Sequence, residues 1–408
     1  MSLPLDGIKV LDLSRLLPGP FCSLLLADYG AEVIKVEDTG MGDYVRWATP
    51  GVDGVEESAK SVRFLALNRN KQSIRLNLKD PAAKEAFLKL VEGADVVLES
   101  FRPGVMERLG IGYETLRERN PGIVLCAISG YGASGPFVGR SGHDMNYLGR
   151  IGLLGLTGEA DGPPVQAAGQ IADIGGGALM AAFGILAALR ERDRSGEGQF
   201  VDVSMADGAL SWLAMDAAAA LQGEPQRRGQ MALGGRFACY RPYACKDGYV
   251  TMGALEPKFF QAFCHGTGRE DLLQHQFDEP GSEGHAKLEA LFLERTREEW
   301  AAFASEHDCC LEPVLELEEA LDSELVRERG MIVELDQPGA TEPVRLLGPP
   351  VKLSRTPADA NRRPAPGFGA DTEAVLAAAG ISEEEIAALH ASGAVAGQHE
   401  GVGGSFLS

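Results

Sequence analysis

His143 and Asp173 are the side chains best suited to proton transfer, and they occur in the strings GHDMNY (142–147) and IADIGGG (171–177). The second string opens an apolar stretch, 177–189, which predicts a buried helix. A carboxylate at the start of such a helix lies beside unpaired backbone N–H groups and the positive end of the helix dipole. This setting suits a nucleophilic carboxylate or an anionic intermediate, and two such groups are able to act on opposite faces of one carbon.

Alternating strand and helix signals predict an α/β fold for the first half of the chain. Ile8–Leu13 and Glu32–Val36 are β-rich, and Phe21–Tyr29 between them has the pattern of a helix closed by Gly30. This is a βαβ unit of the doubly wound kind, in which ligands bind near the carboxyl ends of the strands. Four further strands are predicted at Ser73–Leu78, Ala94–Leu98, Ile123–Ile128 and Gln199–Ser204. A helix is predicted to follow the last of them, from Met205 to Leu221.

The pattern changes near residue 225. Phe237–Ala244 and Tyr249–Ala254 flank a turn at 246–248 and predict a hairpin, and helical segments follow to about residue 306. We therefore expect three parts: a large domain at 1–224, a smaller α+β domain at 225–330, and a linker with a C-terminal segment at 331–408 that returns to the large domain.

The overall composition excludes some partners. A net charge of −21 argues against nucleic acid and anionic membranes. The seven cysteines are scattered without CxxC spacing, which predicts a reduced, cytoplasmic protein. No apolar run is long enough to predict a signal peptide or a membrane span. The turn after the first strand lacks the dinucleotide fingerprint, and the chain lacks Walker, HExxH and GxSxG motifs, which argues against NAD, ATP and metal chemistry, so no metal site is predicted.

Positive charge is concentrated locally despite the acidic composition. Basic residues recur between Lys60 and Lys79, and Arg102 and Arg108 follow. A solvated basic face is one interpretation. The other is a site for a phosphate-bearing ligand, because Asn70 and Lys71 before one strand and Arg102 after another are expected at one end of the sheet.

Several long strings together resemble the family III CoA-transferase (CaiB–BaiF) superfamily. They are GIKVLDLSRLLPGPFCSLLLADYGAEVIKVE, LNRNKQSIRLNLK, ADVVLESFRPGVMERLGIGYETL, SGYGASGP, GHDMNYL, ADIGGG and RSGEGQFVDVSM. The resemblance implies a Rossmann-like large domain, a small domain and an interlocked homodimer. It also implies coenzyme A as the substrate thioester, with no further cofactor. The coenzyme A contacts that we expect are Leu16, Arg46, Asn70, Lys71, Leu76, Arg102, Arg108 and Tyr147.

The superfamily contains two chemistries. In its transferases the aspartate matching Asp173 attacks a thioester, whereas in its α-methylacyl-CoA racemases that aspartate is a base that works with the histidine matching His143. The racemases also carry a glutamate in a string that reads GALEP here, which gives Glu256. We expect a 2-methylacyl-CoA racemase or epimerase. A CoA transferase and a catalytically silent coenzyme A-binding protein are the alternatives.

Removal of a hydrogen α to a thioester needs a base and stabilisation of the enolate. The expected roles are Asp173 as carboxylate base, His143 as the opposing acid and Glu256 as the group that orients the imidazole. The backbone N–H of Asp173 is the expected oxyanion donor, and the glycines at 175–177 are expected to let the substrate approach the backbone. Structural roles are the alternatives, since both Asp173 and Glu256 are suited to begin helices.

The chain departs from the racemases at two places. The second strand ends in Lys35-Val36-Glu37-Asp38, where racemases usually carry a basic residue for the phosphates, so Arg46 is expected to substitute. The segment 158–172 is polar and rich in alanine where racemases tend to be more hydrophobic. A small or polar acyl group is therefore also possible.

Overall fold

The computed structural model describes residues 2–399, which form two compact units. The first unit contains the chain up to Ile151, the segment Gly169–Trp212 and the described residues from Leu325 onwards. The second unit contains Gly152–Ala168 and Leu213–Glu324. The predicted boundaries follow residues 224 and 330, whereas the second unit begins earlier and takes an additional segment from within the predicted large domain.

The strands are numbered along the described chain. They are β1 (Lys9–Asp12), β2 (Glu32–Glu37), β3 (Lys71–Leu76), β4 (Val96–Glu99), β5 (Val124–Ser129), β6 (Phe200–Ser204), β7 (Tyr240–Cys245), β8 (Gly248–Gly253), β9 (Leu311–Pro313), β10 (Ile332–Leu335), β11 (Val344–Leu347) and β12 (Val395–Ala396).

A seven-stranded sheet in the order β12-β3-β2-β1-β4-β5-β6 forms the centre of the first unit. Strands β1 to β6 pair in parallel, and only β12 is antiparallel, at the edge beside β3. Parallel neighbours need crossover connections, which the chain supplies as helices between strands. The predicted α/β class with a mainly parallel sheet is confirmed. The loops that leave β1, β4 and β5 therefore meet at one edge of the sheet.

Helices of the first unit cover this sheet. Their bounds are Pro18–Asp28, Val62–Asn68, Pro81–Val91, Val105–Leu109, Tyr113–Arg119, Asp144–Arg150, Leu179–Ser195, Met205–Leu210, Thr372–Ala378 and Glu383–Ser392, with a 3₁₀ turn at Tyr44–Trp47 and a π-helical turn at Ile171–Ala178. The Asp80 carboxylate caps helix Pro81–Val91, because it accepts hydrogen bonds from the N–H groups of Ala82 and Ala83.

The second unit is a small α+β domain. Its helices are Leu153–Leu156, Ala214–Leu221, Pro257–Gly266, Glu283–Phe292, Arg297–Glu306 and Leu317–Leu321, with a 3₁₀ turn at Glu270–His275 and a π-type turn at Ala232–Arg236. A short helix at Glu324–Glu328 crosses from this unit into the first. The predicted hairpin is confirmed as β7 and β8, to which β9 adds a third antiparallel strand. The predicted helix Met205–Leu221 is interrupted by a 3₁₀ turn at Ser211–Leu213.

Glycines allow two helices of the first unit to touch. A Cβ added at Gly176 would overlap the carbonyl oxygen of Met205, and one added at Gly208 would overlap the backbone of Gly176. These glycines therefore serve close packing between the π-helical turn and helix Met205–Leu210. The expectation that the glycines at 175–177 admit the substrate is wrong for Gly176, because protein backbone already occupies that space.

The long helical segment Ile171–Ser195 is buried along one side only. Ile185 and Leu189 are buried, whereas Leu179, Phe183 and Leu186 are exposed, with 71% of Phe183 accessible to solvent. The prediction of a buried helix is correct for half of the surface. By length and composition this helix is able to cross a membrane, but half of its most apolar part is buried inside the protein.

Charged side chains are buried among β1, β2 and β3. Lys35 Nζ lies 2.8 Å from Asp43 Oδ2, and Lys71 Nζ lies 3.5 Å from Asp12 Oδ2. Burial lowers the pKa of Lys71 to about 8, although Asp12 acts in the opposite direction. A charge in this position requires a partner, because its transfer from water without one costs several kcal/mol.

A second buried pair joins the end of β2 to the loop after it. The Arg46 guanidinium donates to both carboxylate oxygens of Glu37, at 2.8 and 2.6 Å, and to the carbonyl oxygens of Ser58 and Pro366. Burial alone would raise the pKa of Glu37, but Arg46 and Lys35 lower it to about 2. The donors of Arg46 are thus used inside the protein.

The contact between Gly176 and Gly208 predicts that alanine lowers stability at a packed glycine but not at an unpacked one. Gly208→Ala should lower the free energy of unfolding by about 1–3 kcal/mol, because the new methyl group overlaps backbone that cannot rotate away. Gly155→Ala is the matched control, since a Cβ at this helical position meets nothing within 4 Å; it should be neutral or stabilise by roughly 0.5–1 kcal/mol. Denaturant unfolding followed by circular dichroism measures both, and equal effects would contradict the packing role.

Candidate active site

A cleft of about 760 Å³ opens at the carboxyl edge of the parallel sheet in the first unit. Its walls come from the loops that follow β1, β4 and β5 and from the segment that carries GHDMNY. His143, Tyr147 and Asp173 all line it. The two proton-transferring side chains that the sequence singled out are therefore brought to one cavity.

The GHDMNY segment is fixed by bonds among its own residues. His143 precedes helix Asp144–Arg150, and its backbone N–H donates to Asn146 Oδ1 at 3.0 Å. Tyr147 donates its hydroxyl hydrogen to the carbonyl oxygen of Gly142 at 2.6 Å. The Tyr147 ring fills the space where Gly142 lacks a side chain. The imidazole of His143 is left exposed on this rigid turn, facing the cleft.

Asp144 joins this segment to the helix that carries Asp173. One oxygen of its carboxylate accepts hydrogen bonds from the N–H of Ala172 at 2.7 Å and from the N–H of Asp173 at 3.0 Å. The side chain is buried, so it acts as a cap supplied from a distant part of the chain. The expectation that the Asp173 N–H is an oxyanion donor is wrong, because that hydrogen is already bonded.

Sequence reasoning missed Asp144, although a signal was present. The residue lies between two singled-out positions in GHDMNY, and the start of the Asp173 helix has backbone donors that require an acceptor. Nothing in the local pattern, however, indicates that a carboxylate 29 residues earlier in the chain supplies it.

The surroundings of Asp173 raise the pKa of its carboxyl group toward neutral pH. Burial raises the pKa of Asp173 to about 6, the negative charge of Asp144 acts in the same direction, and His143 lowers it. Burial also raises the pKa of Tyr147 to about 12, with Asp173 contributing, so the Tyr147 hydroxyl stays protonated. A carboxylate with this pKa is ionised at pH 7 and is basic enough to take up a proton during a reaction.

Three of the predicted coenzyme A contacts line the cleft: Leu16, Arg102 and Tyr147. Leu16 adopts a left-handed backbone conformation with φ of 66°, and its N–H donates to Asp43 Oδ1 at 3.1 Å. Arg102 is exposed, and its side chain makes no ion pair with any residue in the range 2–399. Arg108 is also exposed but does not line the cleft.

The other predicted contacts lie elsewhere. Arg46 and Lys71 belong to the buried charge pairs, Leu76 is a core residue, and Asn70 donates to Asp28 Oδ1 at 2.9 Å. The expectation that Asn70 and Lys71 share an edge with Arg102 is wrong. In a parallel sheet the amino end of β3 and the carboxyl end of β4 lie on opposite edges.

Further polar groups in the cleft were not predicted. Arg15 and Arg140 line it, with Arg15 Nη2 2.5 Å from Asp38 Oδ2 and Arg140 over the Phe137 ring. The position of Arg15 in the loop after β1 was the available signal, since carboxyl-end loops carry ligand contacts. Ser129 also lines the cleft, and its buried hydroxyl has no hydrogen-bond partner in the described chain.

Glu256 belongs to the second unit. It immediately precedes helix Pro257–Gly266, and its exposed side chain forms no hydrogen bond to the N–H groups of that helix. The alternative of a helix-capping side chain is therefore not supported by hydrogen bonding, and its expected role in orienting His143 stays a prediction.

Comparison with known proteins settles the family. A sequence profile of CoA-transferase family III matches residues 5–372. The chain belongs to CoA-transferase family III. A family III protein of the CaiB/BaiF group from Brucella suis has a solved structure that superposes with a TM-score of 0.80 at 30% identity, covering 93% of this chain and all of that one.

Family III relatives with named activities fall into both chemical classes. The chain is 37% identical over 393 residues to the α-methylacyl-CoA racemase of Mus musculus, covering 95% of this chain and 96% of the relative. It is 36% identical over 376 residues to the succinyl-CoA:mesaconate CoA-transferase of Haloarcula marismortui, covering 88% and 93%. The sequence identities to the racemase and to the transferase are nearly equal. They establish a family III enzyme, but only the site residues are able to distinguish the two reactions.

The contact between Asp144 and the helix of Asp173 predicts that the effect of Asp144 on the pKa of Asp173 is separable from its effect on stability. Asp144→Asn keeps an oxygen acceptor for the two N–H groups but removes a negative charge, so the pKa of Asp173 should fall below 6. Asp144→Ala also removes the acceptor and should cost about 0.5–2 kcal/mol of stability, as loss of a helix cap does. Carboxyl carbon NMR of aspartate-labelled protein measures the titration, with Asp173→Asn identifying the resonance. An unchanged titration in Asp144→Asn would refute the electrostatic coupling.

Proposed function

We propose that the chain is an acyl-CoA isomerase that inverts the α-carbon of a 2-methylacyl-CoA, as an α-methylacyl-CoA racemase does. The observation that carries the proposal is that His143 and Asp173 line one cleft. The 37% identity to the mouse racemase supports it.

The reaction is a 1,1-proton transfer. The Asp173 carboxylate removes the α-hydrogen as a proton, and the electron pair of the C–H bond forms the enolate of the thioester. Protonated His143 then delivers a proton to the opposite face of the same carbon, which restores the thioester with inverted configuration. For the reverse substrate the two groups exchange roles. We assign Glu256 the task of orienting the imidazole and supporting its charged form.

The enolate oxygen needs hydrogen-bond donors other than the Asp173 N–H. Helix Asp144–Arg150 begins directly after His143. The N–H of Asn146 already donates to the carbonyl oxygen of His143 at 2.8 Å, whereas the N–H groups of Asp144 and Met145 have no partner within the helix. We assign them the stabilisation of the oxyanion, assisted by the positive end of the helix dipole. Proton donor and oxyanion donors then come from adjacent residues on one turn.

Coenzyme A is the proposed carrier of the acyl group, without a metal or another organic cofactor. The strand order β3-β2-β1-β4-β5-β6 supports a Rossmann-like description of the first unit, in which ligands bind at the carboxyl edge. Leu16, Arg102 and Tyr147 are the proposed contacts, with Arg15 and Arg140 adding positive charge near the phosphates. Exposed charge contacts of this kind weaken with salt.

A CoA transferase is the second candidate, favoured by the 36% identity to the succinyl-CoA:mesaconate CoA-transferase. In this reaction the Asp173 carboxylate attacks the thioester carbonyl and expels the CoA thiolate, which forms a mixed anhydride. The thiolate then attacks the aspartyl carbonyl to give an aspartyl-CoA thioester and releases the first acid. The acceptor acid takes over CoA by the same steps in reverse.

Removing His143 separates the two reactions. With a 2-methylacyl-CoA in D₂O, His143→Ala should lose inversion by about 100-fold or more, as removal of a general acid–base group does, while Asp173 still exchanges the α-hydrogen of one enantiomer. His143→Gln is the control of similar shape, and Asp173→Asn should lose both signals. Two results together would instead establish the transferase reaction. They are transfer of CoA to a free acid without α-deuteration, and an aspartyl adduct at Asp173 trapped by hydroxylamine.

We propose further that the chain functions as an interlocked homodimer. The support is the row of exposed apolar side chains Leu179, Phe183 and Leu186 on helix Leu179–Ser195, since faces of this kind on a folded unit mark interaction surfaces. Burial against a second copy removes this apolar surface from water, and interlocked subunits cannot separate without unfolding.

The dimer proposal predicts a position-dependent effect of charge. Phe183→Glu should abolish the dimer or leave an aggregated protein, because a carboxylate would be buried at the interface. Val351→Glu, an equally polar change at another exposed apolar position, should leave the dimer intact. Sedimentation velocity measures the mass of each. A folded monomer of the unaltered protein at micromolar concentration would contradict the proposal.

A further inference from the structure

A second cavity of the first unit, of about 320 Å³, lies beside the loop that follows β4. Its lining comes from that loop, from helix Val105–Leu109 and from β4, β5 and β6. It shares Arg102 and Ser129 with the wall of the cleft, but neither His143 nor Asp173 lines it. The two proton-transferring groups of the proposed reaction therefore do not account for the side chains of this cavity.

Glu99, the last residue of β4, lines the cavity with a carboxyl group that is only partly satisfied. The residue is 6% exposed. Its Oε2 accepts the N–H of Phe101 at 2.6 Å, and Oε1 accepts no hydrogen bond from the described chain. Glu99 also makes no ion pair with any residue in the range 2–399. One oxygen of a buried carboxyl group is thus left for another partner.

The other buried carboxylates around the sheet differ from Glu99, because four of them are paired with a buried cation. The pairs are Asp12 with Lys71, Asp28 with Arg69, Glu37 with Arg46 and Asp43 with Lys35. Burial raises the pKa of Glu99 to about 8, and the negative charges of Glu107 and Asp202 act in the same direction. A cation beside Glu99 would favour its ionised form, as the cations of the four pairs do for theirs.

The hydroxyl group of Ser129 is a second unpaired group on the wall of this cavity. Ser129 ends β5 and is nine-tenths buried, and its Oγ has no hydrogen-bond partner in the described chain. A hydroxyl group is able to donate one hydrogen bond and to accept two. Buried polar groups without partners are unfavourable, so a ligand that bonds to this hydroxyl gains affinity.

We propose that this cavity binds the ammonium group of a short alkylamine, with Glu99 as its counter-ion and Ser129 as a hydrogen-bond acceptor. An ammonium group carries three N–H donors, which match the free carboxyl oxygen and the hydroxyl group. Apolar surface for the alkyl chain comes from Met106, Leu125 and Phe200. The proposal concerns binding alone and does not depend on the reaction assigned to the cleft.

The charges of the cavity favour an organic cation over an anion or a metal ion. Glu107 also lines the cavity and adds negative charge. Arg102 is exposed and forms no ion pair with Glu99, so it does not supply the missing positive charge. The described residues contain no group of three or more acidic, histidine or cysteine side chains placed to hold a metal ion.

Isothermal titration calorimetry of the full-length protein with propylamine tests the proposal. Propylamine should bind saturably, and propanol, which is similar in size but uncharged, should not. Because the carboxyl group of Glu99 is mostly protonated at pH 7, binding should release about one proton, measured by repeating the titration in buffers of different ionisation enthalpy.

The pH dependence of the affinity follows from the same ionisation. Only ionised Glu99 attracts the ammonium group, so the affinity should rise about 10-fold from pH 6 to pH 7 and level off above about pH 8. The amine stays charged throughout, since its pKa is close to that of lysine, about 10.4. Burial raises the pKa of the nearby Cys126 thiol well above its usual value, so this group stays neutral.

Variants at two positions locate the site. Glu99→Gln has the shape of the protonated acid and keeps an acceptor for the N–H of Phe101, so it should fold, lose binding by about 10-fold or more and release no proton. Ser129→Ala should weaken binding about 5-fold, the usual effect of losing one hydrogen bond. Glu114→Gln is the matched control, because this exposed glutamate lies outside the cavity and should bind propylamine unchanged. Circular dichroism establishes that each variant is folded.

Several outcomes would overturn the proposal. They are the absence of saturable binding of propylamine, equal binding of propanol, binding at pH 7 without proton release, and unchanged affinity in folded Glu99→Gln. The titration contains no acyl-CoA and requires no turnover, so Asp173→Asn should bind propylamine as the unaltered protein does. Failure of the proposed reaction and failure of the proposed amine site are thereby distinguishable.

Discussion

Burial of charged side chains among β1, β2 and β3 is the constraint on which the structure of the first unit depends. Lys35 is fully enclosed, so its ammonium group requires the carboxylate of Asp43, which the loop after β2 must deliver. The other oxygen of that carboxylate accepts the N–H of Leu16 and fixes one wall of the cleft. Pairs of this kind add little net stability over apolar side chains, but breaking one costs about 3–5 kcal/mol. They therefore determine which arrangement of the loops is permitted.

The sequence predicted most of the sheet and the two central site residues, but it misplaced the basic side chains. Alternating strand and helix patterns are local properties, so β1 to β6 and the hairpin could be identified from short windows. Whether Arg46 and Lys71 point into a cleft or into the core is decided by Glu37 and Asp12, and neither carboxylate adjoins its partner in the chain. The misjudged edge has a different cause, since residues before one parallel strand and after another lie at opposite edges of the sheet, and the predicted strand order already implied this.

The same carboxylate is suited to two reactions, which explains how one family contains both racemases and transferases. Partial burial of Asp173 makes it a stronger base and, equally, a less solvated nucleophile. The helix that carries it is held by Asp144 in either case, so the fold does not choose the chemistry. In the proposed reaction the distinction lies in the second group, His143, which lines the same cleft.

Because Asp144 both follows His143 and caps the helix of Asp173, two functions are encoded in adjacent codons. An insertion or deletion between these positions would displace the imidazole and uncap the carboxylate helix together. Evolution through an intermediate sequence that keeps one of these functions and loses the other is therefore restricted at this turn.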